Sequence, residues 1–148
     1  MKISEKIDLL EHGEQILGRE YAECLFSTKD KFEEYAEETH ILIIEHVKNA
    51  EFYKKLDKSE LHNLLFFMFE CDGLAQKMSG GISFVYSKKH NCIGASVFCD
   101  EILFNKDEIA SLSKLCTVSS QMSFFISPMN DIPLLKGSIA EFVFDLPK

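Results

Sequence analysis

Two pairs of side chains have the residue types for chemistry. Glu37 and His40 are three residues apart, which is the spacing used by one half of a di-iron carboxylate site on a helix. Such a site needs a second Glu-x-x-His pair, and the sequence contains none. Cys71 lies between Glu70 and Asp72, and two adjacent carboxylates oppose formation of the thiolate that a cysteine nucleophile requires. The sequence therefore predicts structural roles for His40 and Cys71.

Motifs for other chemistry are missing from the sequence. No Cys-x-x-Cys pair begins a zinc site, no Gly-x-Ser-x-Gly marks a nucleophilic serine, and no Gly-x-Gly-x-x-Gly forms a phosphate loop. Ser79-Gly80-Gly81 follows a predicted helix, so we interpret it as a helix stop. We therefore expect no catalytic residue, no metal and no cofactor, and we do not expect an enzyme.

One cluster of like charges remains, with five acidic residues within nine positions. At about 100° per residue, a helix places them on one broad face, opposite an apolar stripe that contains Phe32, Ala36 and Ile43. Such a face either solubilises the protein or binds a positively charged partner, whose approach it accelerates. The members of the cluster, which we predict to bind a partner, are Asp30, Glu33, Glu34, Glu37 and Glu38.

The chain as a whole is acidic. Its 148 residues have a formal net charge of −8, and residues 1–80 contain 17 of the 24 acidic residues. Arg19 is the only arginine, and the lysines of the second half are dispersed. This balance argues against nucleic acid or an anionic membrane as a partner, because both require a basic surface.

The sequence also predicts where the protein is located. No apolar stretch typical of a secretion signal follows Met1, and the longest strongly apolar run, Leu64–Phe69, is far shorter than the roughly 20 residues of a membrane-spanning helix. Five cysteines at wide spacings indicate free thiols in a reducing compartment, although Cys92 and Cys99 could face each other across a sheet. We therefore expect a soluble cytoplasmic protein.

Periodic apolar residues predict three helices in the first half of the chain. The first ends near Leu17. The middle of the second should be buried nearly all round, because Ile41, Leu42 and Ile44 add to its apolar stripe. The third runs from about Glu60 to Met78. The candidate capping residues are Ser4 for the first helix, Ser27 or Thr28 for the second, and Asp57 or Ser59 for the third.

The second half is rich in β-branched and aromatic residues and predicts an antiparallel sheet. Because no linker or repeat divides the chain, we expect a single domain over residues 1–148. Its class should be α+β, with an N-terminal helical half packed on a C-terminal antiparallel sheet that contains one inserted short helix. The predicted elements are a hairpin of residues 82–87 and 92–98 with a bulge at Gly94, a helix over 108–116, and strands over 122–126 and 137–146.

In its size, acidity and lack of catalytic motifs, the whole chain resembles the immunity proteins of bacterial polymorphic-toxin and contact-dependent growth inhibition systems. The resemblance implies a cytoplasmic inhibitor that binds one cognate toxin domain, often a basic nuclease, and covers its active or substrate-binding surface. It also implies that the acidic helix face from Asp30 to Glu38 takes the place of the phosphate backbone.

Two alternatives to an immunity protein remain, of which one is another binding protein and the other is an enzyme. A type III secretion chaperone would also be small and acidic, and it would form an obligate dimer with an apolar groove. An enzyme would use Cys71 with His62, or Glu37 with His40, inside a concave pocket.

Overall fold

The computed structural model of the chain describes residues 13–21, 31–48, 50–99, 106–126 and 135–148. Four helices and five strands lie within those ranges, which confirms the predicted α+β class. The helices are α1 (Phe32–His46), α2 (Glu51–Lys54), α3 (Lys58–Lys77) and α4 (Lys106–Leu112). The strands are β1 (Glu14–Glu20), β2 (Gly81–Ser87), β3 (Cys92–Cys99), β4 (Thr117–Ile126) and β5 (Leu135–Asp145).

The five strands form one antiparallel sheet in the order β1-β2-β3-β5-β4. β2 and β3 form the predicted hairpin, and Asn91 adopts a positive φ of 49° in its turn. β5, the last strand in the chain, lies inside the sheet because it pairs with both β3 and β4. The end of β5 therefore lies beside the β2–β3 turn.

The helices pack with α3 at their centre. α3 contacts β2 and β3, while α1 and α4 contact α3. The core between α3 and the sheet takes alternate residues of the central strands, because successive strand residues point to opposite faces. Its largest fully buried members include Leu64, Phe67 and Met68 of α3, Phe84 of β2 and Phe142 of β5.

Both ends of α3 follow from its sequence. Asp57 caps its N-terminus: the carboxylate accepts from the Glu60 backbone N–H at 2.8 Å, and the Glu60 side chain accepts from the Asp57 N–H at 2.9 Å. At the other end Ser79 adopts a positive φ of 50°, and the Gly80 N–H donates to the Ala75 carbonyl at 3.0 Å. A Cβ at Gly80 would lie 1.9 Å from the Phe98 carbonyl oxygen, so this stop requires glycine.

The first predicted helix is wrong where the structure describes it. Residues Glu14–Glu20 form β1, whose Leu17 and Arg19 pair with Phe84 and Ile82 of β2. Gly18 weakens a helix at this point, and pairing satisfies the backbone groups of β2 that would otherwise form a sheet edge. Ser4, Ser27 and Thr28, the capping candidates of the first two helices, lie outside the described residues.

Three further predictions are corrected. The middle of α1 is not buried all round, because α1 packs on α3 along one side, and Ile41 and Ile44 are exposed. Gly94 sits in regular register with Val85 and Val143, and the irregularities occur in β1 and β4 instead. Cys92 and Cys99 are the two ends of the same strand, so they cannot face each other.

The described cysteines, Cys71, Cys92, Cys99 and Cys116, are all free thiols. Cys24 lies outside the described residues. Within the described segments, no helix combines the length and the apolar composition that crossing a bilayer requires.

Candidate functional site

The acidic face of α1 consists of Glu33, Glu34, Glu37 and Glu38, and all four residues are exposed. Asp30, the fifth member of the predicted cluster, lies outside the described residues. The residues that α1 buries are Tyr35, Thr39 and Ile43, at the three-to-four spacing of one helix side. The helix therefore directs its apolar side inward and its carboxylates to solvent.

A lysine at the start of α1 lies close to one carboxylate of this face. Lys31 Nζ lies 3.9 Å from Glu34 Oε1, and both side chains are more than two-thirds exposed, so the pair adds little stability. In the part of the chain that the structure describes, neither Glu33 nor Glu37 forms an ion pair. These two carboxylates remain available to a positively charged partner.

Two exposed isoleucines continue the acidic face toward the end of α1. Ile41 and Ile44 are 47% and 39% exposed, and they follow Glu37 by four and seven residues, which places them on the same side of the helix. The sequence interpretation predicted that they would be buried, because they add apolar residues to the helix outside its periodic stripe. These two side chains would bury apolar area if another protein covered this side of the helix.

A buried carboxylate fixes α1 to the rest of the fold. Asp72 of α3 is 1% exposed, and it accepts a hydrogen bond from the Tyr35 hydroxyl at Oδ2. The Tyr21 hydroxyl, just beyond β1, donates to Oδ1 of the same carboxylate at 2.5 Å. One side chain of α3 therefore joins α1 and the end of β1.

The only arginine of the chain belongs to the same cluster. Arg19 Nε lies 4.0 Å from Asp72 Oδ1, and the guanidinium carbon lies 5.8 Å from the centroid of the Tyr35 ring. Burial lowers the pKa of Arg19, but the Asp72 carboxylate together with Tyr21 and Tyr35 outweighs this effect, and the net pKa is raised. The cluster thus holds one buried negative charge, one partly buried positive charge and two phenols.

The two phenols of this cluster stay protonated well into the alkaline range. Burial raises the pKa of Tyr21 and of Tyr35, and the adjacent Asp72 carboxylate raises both further. Protonated phenols are the hydrogen-bond donors that a buried carboxylate needs. We refer to Arg19, Tyr21, Tyr35 and Asp72 as the Asp72 cluster.

A second contact holds the other half of α1. His40 Nδ1 lies 2.8 Å from the hydroxyl of Tyr53, a buried residue of α2. Glu37, the other half of the possible di-iron motif, is exposed on the acidic face. The described residues contain no group of three or more side chains able to hold a metal ion. The sequence interpretation assigned a structural role to His40, and its contact with Tyr53 is consistent with that role.

Cys71 and His62 do not come together as a catalytic pair. Cys71 is fully buried, and burial raises the pKa of its thiol well above the usual value, which opposes thiolate formation. His62 is exposed, and its ring lies against Phe32 and Phe66 with centroids 5.1 Å and 6.3 Å away. This geometry favours a structural role for both residues.

A pocket of about 250 Å³ adjoins the Asp72 cluster. Its wall includes Tyr35 of α1, Phe69, Glu70 and Asp72 of α3, and Leu112 of α4. Burial raises the pKa of Glu70. Both oxygens of Asp72 already accept phenol hydrogen bonds, so this carboxylate serves the contact between α1 and α3 rather than the pocket.

The sequence interpretation missed the Asp72 cluster. Its four members are spread over more than fifty residues, and no local spacing connects them. Two signals were present: Asp72 is an acidic residue within the apolar stretch of α3, and Arg19 is the only arginine. A buried carboxylate needs partners, but the sequence does not say which tyrosines supply them.

Comparisons of the chain with family models, with curated proteins and with solved structures found no match.

Proposed function

We propose that this chain is a small acidic binding protein of the immunity type, which neutralises a toxin domain in the cytoplasm by covering its active or substrate-binding surface. The partner is a basic protein of the nuclease class. The observation that carries the proposal is the exposed acidic face of α1, on which Glu33 and Glu37 have no ion pair in the described part of the chain. A basic surface that normally binds phosphate groups would bind this row of carboxylates instead of the phosphates.

The acidic face and the exposed isoleucines have different physical roles in this proposal. The carboxylates create a field that accelerates encounter with a basic partner, and salt weakens that effect. Ile41 and Ile44 bury apolar area on contact, which slows dissociation. The proposed interface is therefore α1 from Glu33 to Ile44.

The way α1 is held supports its use as a binding element. Tyr35 is bonded to Asp72, and His40 is bonded to Tyr53, so contacts in both halves of the helix fix it to the fold. A surface that is rigid before binding loses less conformational entropy in the complex.

The test uses the products of the genes adjacent to the gene of this protein, each co-expressed with the full chain. We expect one of them to form a one-to-one complex. The Glu33→Lys, Glu37→Lys variant should slow association by at least about tenfold at low salt and should lose protection of growth. The matched control is Glu20→Lys, Glu51→Lys, which makes the same charge change at exposed residues outside α1 and should retain protection.

Three outcomes would contradict the proposal. They are the absence of a complex with any neighbouring gene product, an association rate unchanged in the α1 variant, and an equal loss of protection in both variants.

A further inference from the structure

Three lysines come together around one pocket of this acidic protein. The pocket measures about 600 Å³ and lies between α2, the start of α3, the end of β2 and residues 146–148. Lys55, Lys88 and Lys148 belong to its wall. They are far apart in the sequence, in a chain whose net charge is −8. Glu51 and Glu60 also belong to the wall, so the lysines outnumber the acidic residues by three to two in a protein that is acidic overall.

The acidic residues of the same wall are engaged elsewhere, whereas the lysines are not. Glu51 Oε1 lies 3.7 Å from Lys54 Nζ, and the Glu60 side chain accepts the Asp57 N–H in the cap of α3. Among the described residues, none of the three pocket lysines has an ion-pair partner. An anion in the pocket would therefore meet three ammonium groups that form no ion pair among the described residues, together with the two glutamates of the wall.

The walls of this pocket are fixed by packing and by hydrogen bonds. The Phe52 and Tyr86 rings are stacked, with centroids 3.9 Å apart and planes 12° from parallel, which joins α2 to β2. The Asn91 side-chain amide donates to the Pro147 carbonyl at 3.2 Å, and the Leu146 N–H donates to the Asn91 carbonyl at 3.0 Å. These contacts bring Lys148 beside the β2–β3 turn that carries Lys88.

We propose that this pocket binds a small phosphorylated molecule of nucleotide size, with its phosphates held by Lys55, Lys88 and Lys148. Ammonium groups bind phosphate as point charges, and three of them are enough to contact several oxygens of a di- or triphosphate. The volume lies within the range of small-molecule sites and leaves room for more than the phosphates. The stacked Phe52 and Tyr86 rings supply an apolar wall for the rest of the molecule.

The experiment measures binding of three probes to the full chain by isothermal titration calorimetry: adenosine triphosphate, inorganic triphosphate and adenosine. We expect both phosphate compounds to bind and adenosine to bind much more weakly. The Lys55→Gln, Lys88→Gln variant should weaken triphosphate binding by at least about tenfold. The control Lys48→Gln, Lys114→Gln, which removes two exposed lysines outside the pocket, should bind as the native chain does. Circular dichroism checks that both variants fold.

Each result supports or overturns the proposal. Triphosphate binding weaker than about 1 mM in the native chain, equal losses in the two lysine variants, or binding of adenosine alone would overturn it. No residue of this pocket belongs to α1, so the Glu33→Lys, Glu37→Lys variant should keep triphosphate affinity even if it loses its protein partner. The proposal about the pocket and the proposal about the acidic face can therefore be contradicted independently of each other.

Discussion

The hydroxyl of Tyr35 on α1 donates a hydrogen bond to Asp72 on α3, although the two residues are separated by 37 positions. The same carboxylate accepts from Tyr21 and lies beside Arg19, so one buried charge determines how α1 and β1 meet α3. A hydrogen bond to a buried charge contributes more to stability than a hydrogen bond between neutral groups. If the bond is lost, the charge stays buried without a partner and without water. The position of the proposed binding helix therefore depends on a buried residue of another helix.

Replacing Tyr35 should reveal this dependence as lost stability. Tyr35→Phe removes the hydroxyl while keeping the ring, and we expect the free energy of unfolding to fall by about 2 kcal/mol. Urea denaturation of Tyr35→Phe, Asp72→Asn and the double variant gives the coupling energy, which should lie near about 1 kcal/mol or above. Strictly additive losses would mean that the two side chains do not interact in solution.

The tyrosine hydroxyls should lose their protons at a higher pH than free tyrosine does. Burial raises the pKa of Tyr21, Tyr35, Tyr53 and Tyr86, so little tyrosinate should form in the folded protein at about pH 10, where free tyrosine is half ionised. Because the unfolded chain loses these protons first, stability is retained below about pH 10 and falls as the pH rises above it. Ultraviolet absorbance measures the formation of tyrosinate as the pH rises. The midpoint of urea denaturation, determined at each pH, measures the stability. In Tyr35→Phe the alkaline loss of stability should be smaller, and an equal loss would count against the assignment.

The acidic face should cost α1 some stability. Glu33 and Glu37 are four residues apart, and Glu34 and Glu37 are three apart, so like charges repel along the helix. Glu37→Lys should raise the free energy of unfolding by about 0.5 kcal/mol at low salt while it slows association with the partner. Thermal unfolding at low and high salt measures the gain. A destabilised Glu37→Lys protein at low salt would contradict this account.

The cap of α3 offers a separate test of local structure. Asp57→Ala removes the side-chain acceptor of the Glu60 N–H and should lower stability by about 1 kcal/mol. Ser59→Ala is the matched control, because Ser59 is an exposed residue of the first turn and the helix begins after Asp57. Urea denaturation should show a loss for Asp57→Ala and almost none for Ser59→Ala. Equal losses of stability in the two variants would mean that both side chains cap the helix.

Thiol reactivity should follow burial among the described cysteines. Cys71 and Cys92 are fully buried, whereas Cys116 is half-buried. Iodoacetamide should therefore modify Cys116 in the folded protein and should reach Cys71 and Cys92 only after unfolding. Mass spectrometry of digested protein identifies the modified sites. Rapid modification of Cys71 in the folded state would restore it as a candidate nucleophile.

The sequence determined the elements whose signals are local. The periodicity of α3, its cap at Asp57, the Ser79-Gly80 stop and the β2–β3 hairpin all lie within a few residues of the positions that were predicted. The acidic face also lies where it was predicted. Its members Glu33, Glu34, Glu37 and Glu38 lie on one side of any helix that contains them. Spacing and capping depend on neighbours in the chain, and the sequence states those directly.

Only the tertiary structure decided which distant residues meet. β1 was predicted as the end of a helix because Ile7, Leu10 and Ile16 were assigned to one helix face, but pairing with β2 determined the outcome. Ile41 and Ile44 are exposed because α3 covers a single side of α1. The Asp72 cluster and the three pocket lysines join segments from several elements, and a one-dimensional pattern does not encode that convergence. Burial and charge pairing act through space. They are therefore properties of the folded chain and do not follow from the spacing of residues along the sequence.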